Sequence, residues 1–526
     1  MINMVYPSDY ENKTGFDRIR AQVRGKCTTD GGRALLDGEG FSASAGEIAH
    51  RLSLCSELQE ILMLESGFPL QEYTDIGPVA RKIEVAGTFL DIEDMIALRA
   101  GLGAVNEITV FLAAKEEGRY PVLRGLAQGV ESFPEITGHI DTILDRYGKI
   151  KDSASPELYT IRRTIRDREG QVSKRLQAIL SKAQKDGYAD ADAAVSIRDG
   201  RAVIPVSAAN KRKINGFIHD ESATGKTFYI EPVEIVEINN ELKELEYAER
   251  REVVRILTAF TDRIRPDAPG IARAGEYLAC MDMIRAKARW AAENDCVKPV
   301  LSEEGTLWLR SARHPLLRQT LAREGKQVVP LDLKLDRGRR MLVISGPNAG
   351  GKSVCLKTVG LLQYMFQCGF PVPVLENSEF PVFDGIFIDI GDEQSIDNDL
   401  STYSSHLLNM KHMLAGTGSG SLVLIDEFGS GTEPVIGGAI AEAILERFVE
   451  TGTYGVITTH YSNIKYFAGS HEGVENGAMM FDVQNIRPLF RLQMGEPGSS
   501  FAVEIARKIG LPAQIILSLI HISEPT

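Results

Sequence analysis

The chain has 526 residues, 43% hydrophobic and 25% charged, with a net charge of −13. That length exceeds a single core and predicts roughly two to four domains, while the composition is that of a globular protein and excludes disorder of the chain as a whole. The negative balance excludes a uniformly basic coat for nucleic acid but leaves room for a local basic face.

The first twenty residues, "MINMVYPSDYENKTGFDRIR", are polar and charged where a signal peptide needs an apolar core, and no uninterrupted run of about 18 apolar residues follows. The six cysteines, Cys27, Cys55, Cys280, Cys296, Cys355 and Cys368, form no C-x-x-C pair, so neither a disulfide framework nor a zinc site is indicated. The expectation is a cytoplasmic protein with no membrane association.

Residues 1–150 alternate helical apolar patterns with short breaks, as in "FSASAGEIAHRLSLCSELQEILML", and predict a helical core. From Lys149 to Asp186 the pattern narrows. Leu158, Ile161, Ile165, Val172, Leu176 and Ile179 make a thin stripe, as in a paired helix, and ten Lys or Arg stand against five Asp or Glu. Next, Asp199-Gly200 between two β-rich runs signals a hairpin in a small antiparallel sheet, which also carries Lys211-Arg212-Lys213. A second long helix returns with Ile235, Ile238, Leu242, Leu245, Val253, Ile256 and Phe260 on one stripe. The span 151–264 thus reads as a helical arm with a β tip. One reading is a coiled coil whose charges are merely solvated. The other is a clamp whose tip residues Arg198, Arg201, Lys211, Arg212 and Lys213 touch a phosphate backbone.

After a helical return and connector (265–328), strands and helices alternate over 329–516, the pattern of an α/β domain with a parallel sheet. Its first strand-to-helix turn, "GPNAGGKS", meets G-x-x-x-x-G-K-[ST] at Gly346, Gly351, Lys352 and Ser353. In such a loop glycines let backbone N–H groups wrap phosphates, the lysine reaches the terminal phosphates, and the hydroxyl ligates Mg²⁺. Gly225-Lys226-Thr227 also reads GKT, but Asp220 stands where the loop's first glycine is needed, so it receives no nucleotide role. "SLVLIDEFGSG" supplies a buried strand ending in Asp426, suited to hold Mg²⁺, and Glu427, suited to orient and deprotonate a water. "GVITTHYS" ends a third strand in Thr459 and His460, placed to sense a γ-phosphate.

The order "GPNAGGKS", "DIGDEQSI", "LSTYSSHLLNM", "LVLIDEFGSGTEP", "TTHY" resembles the MutS family of ABC-type ATPases, and within it the second bacterial branch, which lacks the mismatch-reading domains. "HDESATGKTFYIEP", "EINNEL", "ARHPLL" and "GEPGSSFAVEIARKIGLP" extend the resemblance over nearly the whole chain. It implies a multidomain fold: a helical core, a helical clamp arm with a small antiparallel sheet, and an ABC-type P-loop ATPase domain. It further implies ATP held by Gly346, Pro347, Asn348, Ala349, Gly350, Gly351, Lys352, Ser353 and Gln394, with Mg²⁺ on Ser353 and Asp426. Glu427 and His460 would be catalytic, and Ser401 and Thr402 would reach the γ-phosphate bound by a partner subunit. Gly429, Gly431 and Thr432 would lie at the dimer interface, and the ATPase would work as a homodimer.

Two departures stand out. Leu331 occupies a position where the family pattern has Asn, and residues 517–526 leave that pattern where relatives continue towards a Smr-type nuclease domain; no nuclease activity is assigned to these residues. The resemblance implies a clamp on branched or junction-like DNA that suppresses recombination, with no mismatch reading. The alternatives are a sensor that binds stalled ribosomes and rRNA and splits them, and a folded fragment with little nucleic-acid affinity of its own.

Overall fold

The computed structural model describes residues 5–347, 350–391 and 402–499, and beyond these 501, 504, 506, 507, 509–512 and 514–516. They form two compact units. One comprises Met1–Tyr73, Glu107–Gln128 and Tyr277–Thr526; the other comprises Thr74–Asn106 and Gly129–Glu276. The segment 1–150, expected as one helical core, is therefore divided between them.

The first unit is built on a seven-stranded sheet in the order Val5–Tyr6, Gly385–Asp389, Ser421–Ile425, Tyr454–Thr458, Arg339–Ser345, Gly473–Asp482, Arg487–Met494. The first six strands pair in parallel and the last is antiparallel, so the expected parallel sheet carries one antiparallel edge. The three central strands are buried along their whole length, or nearly so. This is the pattern of a sheet covered on both faces, and it explains why their sequences read as unbroken apolar runs. Met341, Val343, Val423, Ile425 and Ile457 pack with Met410, Met413, Leu445, Phe448 and Phe467 from helices on one side. On the P-loop helix Lys352–Gln367, Gly360 has no room for a Cβ: Leu424 Cδ1 would stand 2.8 Å away and the Tyr10 hydroxyl 3.1 Å away. Tyr10 donates to the Gly360 carbonyl at 2.9 Å and stacks on Tyr364. The N-terminal helices are thus packed on the P-loop helix.

A second, four-stranded sheet of this unit joins Val300–Ser302, Glu379–Pro381, Leu307–Ala312 and Leu331–Leu335. Two of these strands lie in the stretch expected to be a helical connector.

In the other unit, helices Pro156–Lys185 and Val233–Ile264 run antiparallel, since Ser155 bonds Glu252, Arg162 pairs with Glu249, and Arg168 pairs with Glu241. Val172, Leu176 and Leu180 of the first, with Ile235 and Ile238 of the second, share a core with Ile204, Val206 and Ile230 of a four-stranded antiparallel sheet. Each such side chain contributes about 1.5–3 kcal/mol on burial. The Asp199-Gly200 turn has φ of 47° and 72°, the doubly left-handed geometry that the Asp-Gly pair anticipates. Gly225-Lys226-Thr227 lies at another hairpin of this sheet, where the Ser222 N–H bonds the Thr227 carbonyl at 2.8 Å; it has no strand-to-helix context.

Among the described residues one helix, Ile92–Ala113, is long and apolar enough to cross a membrane by length and composition, where the sequence predicts no such segment. It carries Glu93, Asp94, Arg99 and Glu107. Its Met95, Leu98, Leu102, Val105, Ile108 and Leu112 are buried at three- and four-residue spacing, the signature of a helix packed on one face by protein.

Candidate nucleotide site

Parallel pairing sets Ile425 beside Ile457, and Thr458 beside Ile344. The strands ending before Asp426, Thr459 and Gly346 therefore open at one sheet edge, where α/β folds place their ligands. At that edge Gly346 and Gly351 have φ of 143° and 93°, values that residues with a Cβ avoid. A Cβ on Gly346 would stand 3.0 Å from Met479, and one on Gly351 would stand 3.3 Å from Phe490. Lys352 is 4% exposed; its ammonium donates to the Gly346 carbonyl at 2.9 Å and the Pro347 carbonyl at 3.2 Å, and lies 3.3 Å from His460 Nε2.

Burial lowers the Lys352 pKa, opposed by the carboxylates of Asp426 and Glu427. Desolvation, then the Lys352 charge, holds the His460 imidazole below its usual value. The neutral ring is the form that accepts a hydrogen bond from an ammonium. Ser353 is exposed at the start of the helix.

The acidic pair is held by Thr458, a residue whose role no motif in the sequence marks. Its hydroxyl donates to Asp426 Oδ1 at 2.6 Å and accepts from the Glu427 N–H at 2.8 Å, and its carbonyl accepts from the Phe428 N–H at 2.8 Å. Glu427 has φ of 49°, a left-handed conformation that costs a non-glycine residue about 1–2 kcal/mol and recurs at active sites. Thr459, expected to face a γ-phosphate, is buried, and its hydroxyl bonds the Phe428 carbonyl at 3.3 Å. Gly429 packs on the Tyr461 ring, whose hydroxyl donates to the Gly429 carbonyl at 2.9 Å. Gly498 meets the P-loop strand from below: its N–H bonds Ser345 Oγ at 2.7 Å, and a Cβ would stand 2.6 Å from the Ser345 carbonyl.

Beside Gly351 lies a cavity of about 430 Å³, lined by His314, Val328, Val329, Leu331, Val354 and Phe490 among others. Burial, with the charges of Lys357 and Arg18, lowers the His314 pKa to about 4, so its ring is neutral at pH 7. The apolar Leu331 matches its neighbours here. Phe490, on the strand Arg487–Met494 that pairs antiparallel with Gly473–Asp482, brings an aromatic ring to the cavity, and no local signal in the sequence marks that residue.

These residues fit a magnesium nucleotide. The glycine turn and Lys352 would take the phosphates, Asp426 and Ser353 the metal, and the apolar cavity a planar base. Asn348, Ala349, Gln394 and Ser401 lie outside the described residues, and of Thr402 only the helical backbone is described. Replacing Lys352 with alanine is expected to weaken ATP affinity at least about tenfold by removing the buried ammonium, measured by titration with a fluorescent ATP analogue.

The basic tip is divided. Arg201 is bound to Glu231, which is 1% exposed and also holds His219 and Asn239. Arg198 pairs with Asp220 at 3.1 Å and lies over Tyr229. Both arginines, expected to contact nucleic acid, are committed to acidic partners within the sheet. Among the described residues no ion pair engages Lys211, Arg212 or Lys213; Lys211 lies over Phe228, and Arg212 and Lys213 are exposed.

Fold and site define a multidomain α/β protein with a P-loop nucleotide-binding domain. Residues 342–524 match the model of MutS domain V. The chain is 38% identical to the endonuclease MutS2 of Thermomicrobium roseum over 514 residues, 95% of this chain and 64% of that protein. It is 40% identical to the endonuclease MutS2 of Pelotomaculum thermopropionicum over 461 residues, 88% of this chain and 58% of that protein. With the Geobacillus protein of the same name it shares 36% identity over 503 residues, 95% and 63% of the two chains. Over nearly its whole length the chain is similar to MutS2-type proteins of the MutS family. It spans about three-fifths of the length of these relatives.

Proposed function

We propose that the chain is the ATP-hydrolysing part of a homodimeric nucleic-acid clamp, which grips and releases branched DNA as nucleotide is bound and hydrolysed and thereby suppresses recombination. The observation that carries the ATPase reading is the convergence of Gly346, Lys352, Asp426, Glu427 and His460 at one sheet edge. Bound nucleotide and Mg²⁺ supply the scissile phosphoanhydride and its charge neutralisation. Lys352 orients the terminal phosphates, Asp426 fixes the metal through a carboxylate locked by Thr458, and Glu427 takes the proton of the attacking water. Ser401 and Thr402 of each subunit complete the partner's site in this reading, which makes the dimer the working unit. A cytoplasmic location goes with it.

For the nucleic acid, the reading rests on Lys211, Arg212 and Lys213, cations that no carboxylate of the described residues neutralises. Replacing all three with alanine is expected to weaken binding to a four-way DNA junction at least about tenfold at 0.1 M salt and to reduce the slope of log affinity against log salt by about 2–3. Unchanged affinity and slope would remove the tip from the interface. The substrate is tested by the ATPase rate with four-way junction, linear duplex or stalled disomes. Stimulation by junctions above duplex supports the DNA role; stimulation by disomes alone would move the activity to ribosome rescue.

A further inference from the structure

Four polar side chains join the helix Thr402–Gly416 to the sheet edge that ends at Asp426. Asp389, 2% exposed at the end of its strand, accepts from Asn409 Nδ2 at 2.9 Å on one oxygen and lies 2.6 Å from His406 Nδ1 on the other. Asn409 Oδ1 accepts from the Tyr6 hydroxyl at 2.6 Å. The Tyr6 ring sits between Phe387 of the neighbouring strand and His412 of the helix, with centroids 6.5 and 5.3 Å away. The backbone of Asp389 faces the other way: its carbonyl accepts from the Asp426 N–H at 2.9 Å. One residue thus holds the helix through its side chain and Asp426 through its main chain.

From this we infer that Asp389, His406, Asn409 and Tyr6 are positioning residues for ATP hydrolysis. They set the register of the Thr402–Gly416 helix against the Asp426–Glu427 turn, with the N-terminal strand Val5–Tyr6 as the outer rivet. The inference rests on the ATPase reading above. Met410 and Met413 already seat the helix in the apolar core, but such contacts are non-directional and tolerate a small slide or rotation. Hydrogen bonds to a buried carboxylate do not, because their strength falls steeply with angle. Asp389 is acceptor-only, so both neighbours must present N–H groups, and this fixes the orientation of Asn409 and leaves its oxygen for Tyr6. The helix begins at Thr402, in the element assigned to the partner's γ-phosphate, and Tyr403 lies 3.3 Å from the Cβ position of Gly431. A shift of the helix at His406 therefore moves the groups at its N-terminus.

The test uses the full chain with His406→Ala, His406→Asn and Tyr6→Phe. His406→Ala is expected to lower kcat for ATP about tenfold or more, since it leaves a buried carboxylate short of one partner, with KM and melting temperature close to wild type. His406→Asn places an amide N–H where Nδ1 stood and restores part of the rate. Tyr6→Phe, which removes one hydroxyl from the outermost strand of the sheet, separated from the P-loop strand by three others, lowers kcat about threefold. In hydrogen exchange without nucleotide, His406→Ala is expected to speed the amides of Thr402–Gly416 about tenfold and leave those of Arg339–Ser345 unchanged. A wild-type kcat in His406→Ala, or a parallel collapse of kcat, KM and melting temperature without rescue by asparagine, would overturn the inference. If the wild-type chain does not hydrolyse ATP, the ATPase reading fails. The exchange experiment then still decides whether the four residues fix the helix in place, and unchanged helix protection would sink that placement.

Discussion

Glu427→Gln is expected to lower single-turnover ATP hydrolysis by about a thousandfold while leaving nucleotide affinity within about twofold. The glutamine is isosteric and keeps every backbone contact that holds the turn: the N–H bond to the Thr458 hydroxyl, the neighbouring Phe428 bond, and the φ of 49°. What it loses is proton affinity. A general base contributes roughly 10²–10⁴-fold, so a rate within threefold of wild type would show that the proton goes elsewhere. Thr458→Val provides the complementary measurement. It keeps the side-chain shape but frees the Asp426 carboxylate and the Glu427 N–H together, and a loss of rate there with Glu427 present identifies the threonine as the group that aims both acids.

Asp282→Ala is expected to cost about 3–5 kcal/mol and lower the main melting transition by about 5–10 °C. Asp282 is 0% exposed and its partner Arg285 1% exposed, at 2.8 Å. The carboxylate also accepts from the N–H groups of Thr28 and Thr29 and from both hydroxyls. It thereby organises the start of helix Asp30–Gly38, whose N-cap is Thr29. Removing it strands a buried guanidinium and two backbone donors, whereas a double replacement of Asp282 and Arg285 leaves no uncompensated charge. The double variant should cost less than the sum of the singles, and additive costs in urea unfolding would show that the pair is not coupled.

The candidate nucleotide site was legible as a set of motifs because each motif is local. Eight consecutive residues spell the phosphate-loop motif, and an apolar run ending in two acids announces a strand end. The Asp-Gly hairpin and the rejection of the GKT decoy rest on equally short-range rules. Charge was a poorer guide at the tip. Five basic residues look alike in sequence, yet Arg201 and Arg198 form ion pairs with Glu231 and Asp220 of other strands of the sheet, while Lys211, Arg212 and Lys213 lie between its strands. Thr458 is the last residue of its strand and Thr459 the first beyond it, and their hydroxyls bond Asp426 and the Phe428 carbonyl respectively. No composition rule says which of two adjacent threonines meets the acids.

The MutS-like order of motifs, the P-loop and acidic pair, and the helix–sheet–helix of the second unit are readable along the chain, because each depends on spacing within a few turns. Folding in three dimensions is what adds Val5–Tyr6 to the seven-stranded sheet, ties a helix to Asp426 through Asp389, and brings Phe490 to the cavity beside Gly351. The reason is physical: strand pairing such as Val5 with Ile386 is stabilised by backbone hydrogen bonds and a shared core that any β-forming dipeptide could enter. The partner is chosen by which edge remains open once the rest of the sheet has closed.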